Sequence, residues 1–137
     1  MQGYRTNIEI NPRFRDTDAM GHINNAVYLS YLEMARLEYL DKVFGITRFQ
    51  DIPLILARVE IDYRSPGLLH EKFDLGVRVS SLGGANFTME YLMDERKSCR
   101  CVVEAKTVQV YYDYAEGKVR RLPPDWVRKI KEYDGIS

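Results

Sequence analysis

Cysteine, tryptophan and proline are scarce in this 137-residue chain, which holds two, one and five of them. Cys99 and Cys101 stand two apart, a spacing that fits neither a redox CxxC nor a zinc site and is too sparse for a disulfide framework. On one strand the two thiols would share a face and be poorly placed to bond each other. A reducing, cytoplasmic setting is therefore expected. No stretch approaches the ~18 consecutive apolar residues of a membrane span, and the opening MQGYRTNIEINPRF lacks the apolar run of a secretion leader. Nor does one charge dominate: twenty Lys and Arg balance twenty Asp and Glu. Nothing in that balance draws the chain to nucleic acid or to an anionic membrane. A serine elbow and a glycine-rich phosphate loop are missing as well, which speaks against serine-hydrolase and nucleotide-binding chemistry.

What is present suits one folded domain covering residues 1–137, with 45% apolar and 29% charged residues. From Tyr4 to Phe14 the even positions are mostly apolar and the odd ones polar, a strand with one buried face that Pro12 marks as an edge or a bulge. Ala26 to Phe44 contains no Gly or Pro and is apolar around most of its circumference, which predicts a helix enclosed by its neighbours and stopped at Gly45. Glu33 with Arg36 and Glu38 with Lys42 are spaced as same-face ion pairs. The rest alternates as strands: Ile55, Ala57, Val59, Ile61 and Tyr63 on one face; then Phe73 to Val79; then Phe87 to Met93; then Arg100 to Tyr112. Pro123-Pro124-Asp125-Trp126 opens a short terminal helix. One strand, one long helix and about four antiparallel strands make an α+β fold, best satisfied by a sheet curled around the helix.

The stretch RDTDAMGHINNAVYL, Arg15 to Leu29, places a polar loop directly before that helix. The first turn of a helix carries backbone N–H groups without internal partners and a partial positive charge. At a buried helix those donors would polarise a carbonyl oxygen and stabilise negative charge developing on it. Asp18 lies a few residues earlier; carboxylates of ordinary pKa, ~4, are ionised at neutral pH and can attack a carbonyl or activate water. Gly21 permits close backbone approach. The same residues also read as plain turn and cap chemistry: Asn24 or Asn25 as helix caps, Asp16 and Asp18 as turn formers, His22 as a loop residue. Asp16, Asp18 and His22 are too few, at unfamiliar spacings, for a metal site.

DTDAMGHINNAVYLSYLEMAR resembles the signature of the 4-hydroxybenzoyl-CoA thioesterase family, acyl-CoA thioesterases of the hot-dog fold. RVEIDYRSPG and VSSLGGANFTMEYLM are similar to that family's next strand and hairpin, so the resemblance covers most of the chain. It implies a long helix wrapped by an antiparallel sheet, subunits paired as a homodimer or homotetramer, and an acyl-CoA substrate cleaved without a cofactor or metal. By the same resemblance Asp18 is the catalytic carboxylate, and the backbone N–H of Asn25 holds the thioester carbonyl. Glu33 lines the acyl pocket, and Gly21, His22, Asn24 and Tyr28 shape the substrate site. The GH-x-NN form, His22 and Asn24 included, is the version common among fatty acyl-CoA thioesterases. One departure is the hairpin Gly83-Gly84-Ala85, which lacks the basic residues that grip coenzyme A phosphates in some relatives. Arg58, Arg64 or Arg96 to Lys97 are then the candidates. An acyl-carrier-protein thioesterase, a hot-dog dehydratase and a non-catalytic acyl-CoA binder remain as alternatives.

Overall fold

The strictest alternations in the chain form the middle of one antiparallel sheet. A computed structural model describes residues 1–137, with strands β1 (Thr6–Ile10), β2 (Leu54–Tyr63), β3 (Phe73–Leu82), β4 (Asn86–Glu95), β5 (Cys101–Asp113) and β6 (Lys118–Val119). Helices α1 (Val27–Phe44) and α2 (Pro124–Asp134) complete the fold. The strand order is β1-β3-β4-β5-β2, with β6 added to β5, so β1 and β2 are the edges of the main sheet. Val77, Tyr91, Ala105 and Ile61 face one another across β3, β4, β5 and β2 on the inner side. Their sequence neighbours Arg78, Glu90, Lys106 and Glu60 form the matching outer row, with signs that alternate from strand to strand. Period two thus separates a core face from a charged face, as the composition of those segments predicts.

The sheet bends at three single-residue irregularities, near Ala57 in β2, Ser80 in β3 and Val102 in β5. The one at Ala57 corrects the sequence reading. Leu56 pairs with Gln109 and Arg58 with Val108, so the faces exchange across Ala57. Leu54, Leu56, Val59, Ile61 and Tyr63 are on the inner side, and Ile55 lies outside. An extra residue resets the period, and periodicity alone cannot place it.

Helix α1 rests on β1 and β3 and buries Tyr28, Tyr31, Leu32, Ala35, Tyr39 and Leu40. Gly45, in a left-handed conformation with φ of +69°, ends it and donates its N–H to the carbonyls of Asp41 and Leu40. The expectation of a helix enclosed on all sides is not met within one chain: Leu29 and Met34 are exposed, because the sheet curls over one flank only. Glu38 and Lys42 pair at 4.0 Å; Glu33 and Arg36 do not, since Arg36 turns inward to the Tyr91 hydroxyl. The N-terminal strand is shorter than its alternation suggests. Phe14 belongs to a single 3-10 turn and is 82% exposed.

Helix α2 closes the far end of the barrel-like curl. Trp126 stacks on Phe44 with ring centroids 3.8 Å apart. Asp134 accepts from the Tyr39 hydroxyl at 2.7 Å and from the Val79 N–H at 2.9 Å, beside the Ser80 irregularity where the ladder breaks. Cys99 lies in the turn before β5, not on a strand, and both cysteines are free. No helix is long and apolar enough to cross a membrane.

Gly67, between β2 and β3, is closely packed on three sides. A Cβ there would lie 2.6 Å from Ile23 Cδ1, 2.9 Å from the Tyr28 hydroxyl and 3.1 Å from Phe73 Cζ. Gly67→Ala is expected to destabilise the protein by about 1–3 kcal/mol, in the range of overpacked cores, read as a lower urea midpoint with an unchanged slope.

Candidate active site

The loop before α1 folds back as a small hairpin. Thr17 and Ile23 pair across it, and His22 pairs with Leu68 of the β2–β3 connection. Within the turn, Asp18 donates its N–H to His22 O at 2.8 Å, and Gly21 donates to Asp18 O at 3.1 Å with φ of +76°. The left-handed conformation is the reason for glycine here. Asp18 Oδ1 accepts the N–H groups of Met20 at 2.9 Å and His22 at 3.1 Å. Its other oxygen, Oδ2, has no partner in the chain, and the residue is exposed. The carboxylate is therefore oriented by its own turn and half available. The His22 imidazole makes no hydrogen bond within the chain.

Asp16, the first aspartate of the pair, has a different task. Its Oδ2 accepts from the Tyr31 hydroxyl at 2.8 Å and from the Arg13 N–H at 3.0 Å, while its carbonyl accepts the Asn24 N–H at 2.8 Å. Burial, and then this bond to Asp16, raise the Tyr31 pKa well above that of a free phenol, so Tyr31 stays a donor. Asp16 thereby ties both ends of the loop to the first turns of α1.

The head of the helix is only partly satisfied. Asn24 Oδ1 accepts the Ala26 N–H and Asn24 O the Val27 N–H, both at 2.9 Å, so Asn24 is the working cap although Ala26 is the residue at the boundary. The Asn25 N–H donates to no acceptor in the chain. In a planar trans peptide N–H and C=O point opposite ways. Because Asn24 O points into the helix at Val27, the Asn25 N–H points out of its end. Asn25 O, in the following peptide, receives the Tyr63 hydroxyl at 3.0 Å, fixing the chain there from the β2 side.

Tyr28 is buried, its hydroxyl accepting the Gly67 N–H at 3.1 Å and its ring edge-on to Tyr31 and Tyr63. It acts on the loop from beneath. Glu33 lies farther along α1, exposed, on the wall of a cavity of about 350 Å³ between the helix and β2. The structure thus gathers Asp18, Gly21, His22, Asn24 and Asn25 into one tied-down loop and sets Glu33 two turns away. No group of three His, Cys, Asp or Glu side chains is arranged to hold a metal ion.

Two residues that hold this loop, Arg100 and Glu71, carry no sequence signal. Arg100 donates to both carboxylate oxygens of Glu71 at 2.9–3.0 Å, to Ser65 Oγ at 3.0 Å and to Pro66 O at 3.0 Å. Glu71 also accepts the Leu68 N–H at 2.9 Å. That strap rigidifies the segment on which Ile23 and Gly21 dock, through Ile23 N–H to Gly67 O at 2.8 Å and Leu69 N–H to Gly21 O at 3.2 Å. The partners are some thirty residues apart, beyond any local pattern; the Ser65-Pro66-Gly67 stretch between them reads in sequence as a turn. The arginines expected to bind phosphate are already engaged. Arg58 pairs with Glu60, Arg64 with Glu104 at 3.0 Å, and Arg96 with Asp74 and Glu9.

Residues 12–130 match the family described as the thioesterase-like superfamily. Long-chain acyl-CoA thioesterase FadM of Escherichia coli (strain K12) is 24% identical over 126 residues, covering 90% of this chain and 96% of that protein. Acyl-CoA thioester hydrolase YbgC of Escherichia coli O6:H1 is 24% identical over 124 residues, covering 87% and 90%. A solved thioesterase from Thermus thermophilus, complexed with coenzyme A and zinc, is 31% identical with a TM-score of 0.91, covering 100% of this chain and 99% of that one.

The acid limb of stability tests the strap together with the β4–β5 turn that Glu95 holds. The Arg100 guanidinium holds the Glu71 carboxyl below its ordinary value, and the N–H groups of Lys97 and Ser98 hold Glu95 down to about 2. Both folded-state values are depressed, so this stabilisation is complete above the ordinary glutamate value of 4.5 and is lost as pH falls toward 2. Urea midpoints should drop through that window, and Glu95→Gln should flatten the drop while lowering the midpoint at neutral pH.

Proposed function

We propose that this chain, which belongs to the thioesterase-like superfamily, hydrolyses acyl-CoA thioesters to a free carboxylic acid and coenzyme A, as one hot-dog domain over residues 1–137. The observation that carries the reading is the outward-pointing, unpartnered Asn25 N–H at the head of α1, in the same loop as a carboxylate with one unengaged oxygen. The N–H takes the thioester carbonyl oxygen, and the helix end stabilises the charge that gathers there. Asp18 Oδ2 either adds to the carbonyl carbon or removes a proton from a water that does. The C–S bond then breaks, and the thiolate leaves without needing a strong acid; on the addition route water then hydrolyses the mixed anhydride, freeing the acid and Asp18. Gly21, His22 and Asn24 hold the loop in the shape this requires, Tyr28 supports it through Gly67, and Glu33 lines the path of the acyl chain. The 4-hydroxybenzoyl-CoA branch is the kinship that the loop signature supports; it sets no aromatic preference.

Asp18→Asn keeps the Oδ1 acceptor and is expected to fold with an unchanged melting temperature and to lose nearly all thiol release from acyl-CoA. Full activity in that variant would reject the assignment. Single turnover in labelled water tests the addition route: label entering the Asp18 carboxylate marks a mixed anhydride that water opens at that carbon.

A homodimer or homotetramer is part of the same reading. β2 is an edge of ten residues with its outer N–H and C=O groups unpaired, and it exposes Leu56 and Tyr63 on the core side. An open edge of that length is a template for a second copy. Sedimentation should give a mass of two or four 16.0 kDa chains; an active monomer would contradict it.

A further inference from the structure

The cavity between α1 and β2 has exposed Phe49, Gln50 and Tyr114 at its mouth and buried Gln109 at its floor. Leu37, Leu40, Leu54 and Leu56 line it, and so do Arg36, Gln109 and Glu33. Beneath it runs a chain of polar side chains where the core alternation calls for apolar ones. Arg36 Nη1 donates to the Tyr91 hydroxyl at 3.1 Å, Tyr91 shares a 2.7 Å hydrogen bond with Thr107 Oγ1, and Gln109 Nε2 donates to Thr107 at 3.1 Å. Tyr91, Thr107 and Gln109 are each at most 2% exposed. Polar groups in a core are costly unless hydrogen-bonded, and an apolar set of similar volume would serve stability as well.

The capacity left over points into the cavity. Gln109 uses one of its two N–H groups and leaves its carbonyl oxygen without a donor. No fully buried side-chain polar atom lacks a partner, so that oxygen opens on the space above. Arg36 spends one N–H on Tyr91 and pairs with no carboxylate. Glu33 lines the same wall without pairing with it, and its charge repels a second carboxylate there. A neutral group that both accepts from a guanidinium and donates to a carboxamide fits such a floor. A hydroxyl does both, a ketone only accepts, and a carboxylate would meet Glu33.

Position sets the length of the ligand. Nine residues separate Val27 from Arg36, about 14 Å along the axis at ~1.5 Å per residue, and helical side chains lean back toward the N-terminus. The floor thus lies about 10 Å from the carbonyl position, beyond a single aromatic ring and within reach of a medium-length chain. Resting on the thioesterase reading above, we propose that this cavity takes a medium-chain acyl group with a hydroxyl near its far end, which Arg36 and Gln109 recognise.

The test compares ω-hydroxydecanoyl-CoA, decanoyl-CoA and the matching dicarboxylic mono-CoA ester. Sites built to hydrogen-bond a hydroxyl reject the analogue lacking it, so wild type should show about tenfold or higher kcat/KM for the hydroxylated substrate over both others. Arg36→Met and Gln109→Leu should erase that preference by lowering kcat/KM for the hydroxylated substrate more than for decanoyl-CoA. Equal rates on hydroxylated and plain chains, or preference for the dicarboxylic ester, would overturn this proposal and leave the thioesterase reading standing. The wild-type panel decides this even where a variant fails to fold. No thiol release from any of the three, nor from acyl-CoAs of other lengths, would remove the thioesterase reading and this one with it.

Discussion

The first turn of an α-helix cannot satisfy its own backbone donors, and the architecture at this end of the molecule is a response to that deficit. Asn24 takes two of the donors, through its side chain and its carbonyl. Asp16 ties the incoming loop to Tyr31, one turn into the helix. The Asn25 N–H is left without an acceptor, and it faces outward because the carbonyl of its own peptide is committed inward. A site for a carbonyl oxygen thus arises from incomplete capping. Its position depends on the Thr17–Ile23 hairpin, which depends in turn on Gly67 and on the Arg100–Glu71 strap.

A second constraint is the asymmetric curl of the sheet. It presses β1 and β3 against α1 and carries β2 away from the helix, which opens the cavity walled by Leu37, Leu40, Leu54 and Leu56. It also leaves β2 as an edge with apolar groups on show. The binding space and the surface offered to a second copy therefore have one origin, in a helix covered on a single flank. Exposure of Leu29 and Met34 follows from the same cause.

Much of the fold was legible because the stretches Phe73 to Val79 and Phe87 to Met93 repeat every two residues without interruption. Phe73 to Val79 and Phe87 to Met93 fall on the inner face as their alternation requires. β2 was misread before Ala57 because a single extra residue exchanges the faces, and nothing in Leu-Ala-Arg marks where it sits. At the site, Asp18 and the loop around Gly21 were visible as a motif. The division of labour between Asp16, which builds, and Asp18, which is left half free, was not. Both are aspartates in a turn, and only their hydrogen-bond partners separate them.

By itself the sequence determined the sheet's two faces, the span of the long helix, the glycine that ends it, and the polar loop at its head. These are local matters, set by side-chain period, capping preference and the left-handed freedom of glycine. Tertiary structure alone decided which amide stays unpaired, which carboxylate oxygen stays open, and that Arg36 meets Tyr91, Thr107 and Gln109 under one cavity. Those outcomes depend on contacts between residues dozens of positions apart, whose angles follow from how the sheet bends.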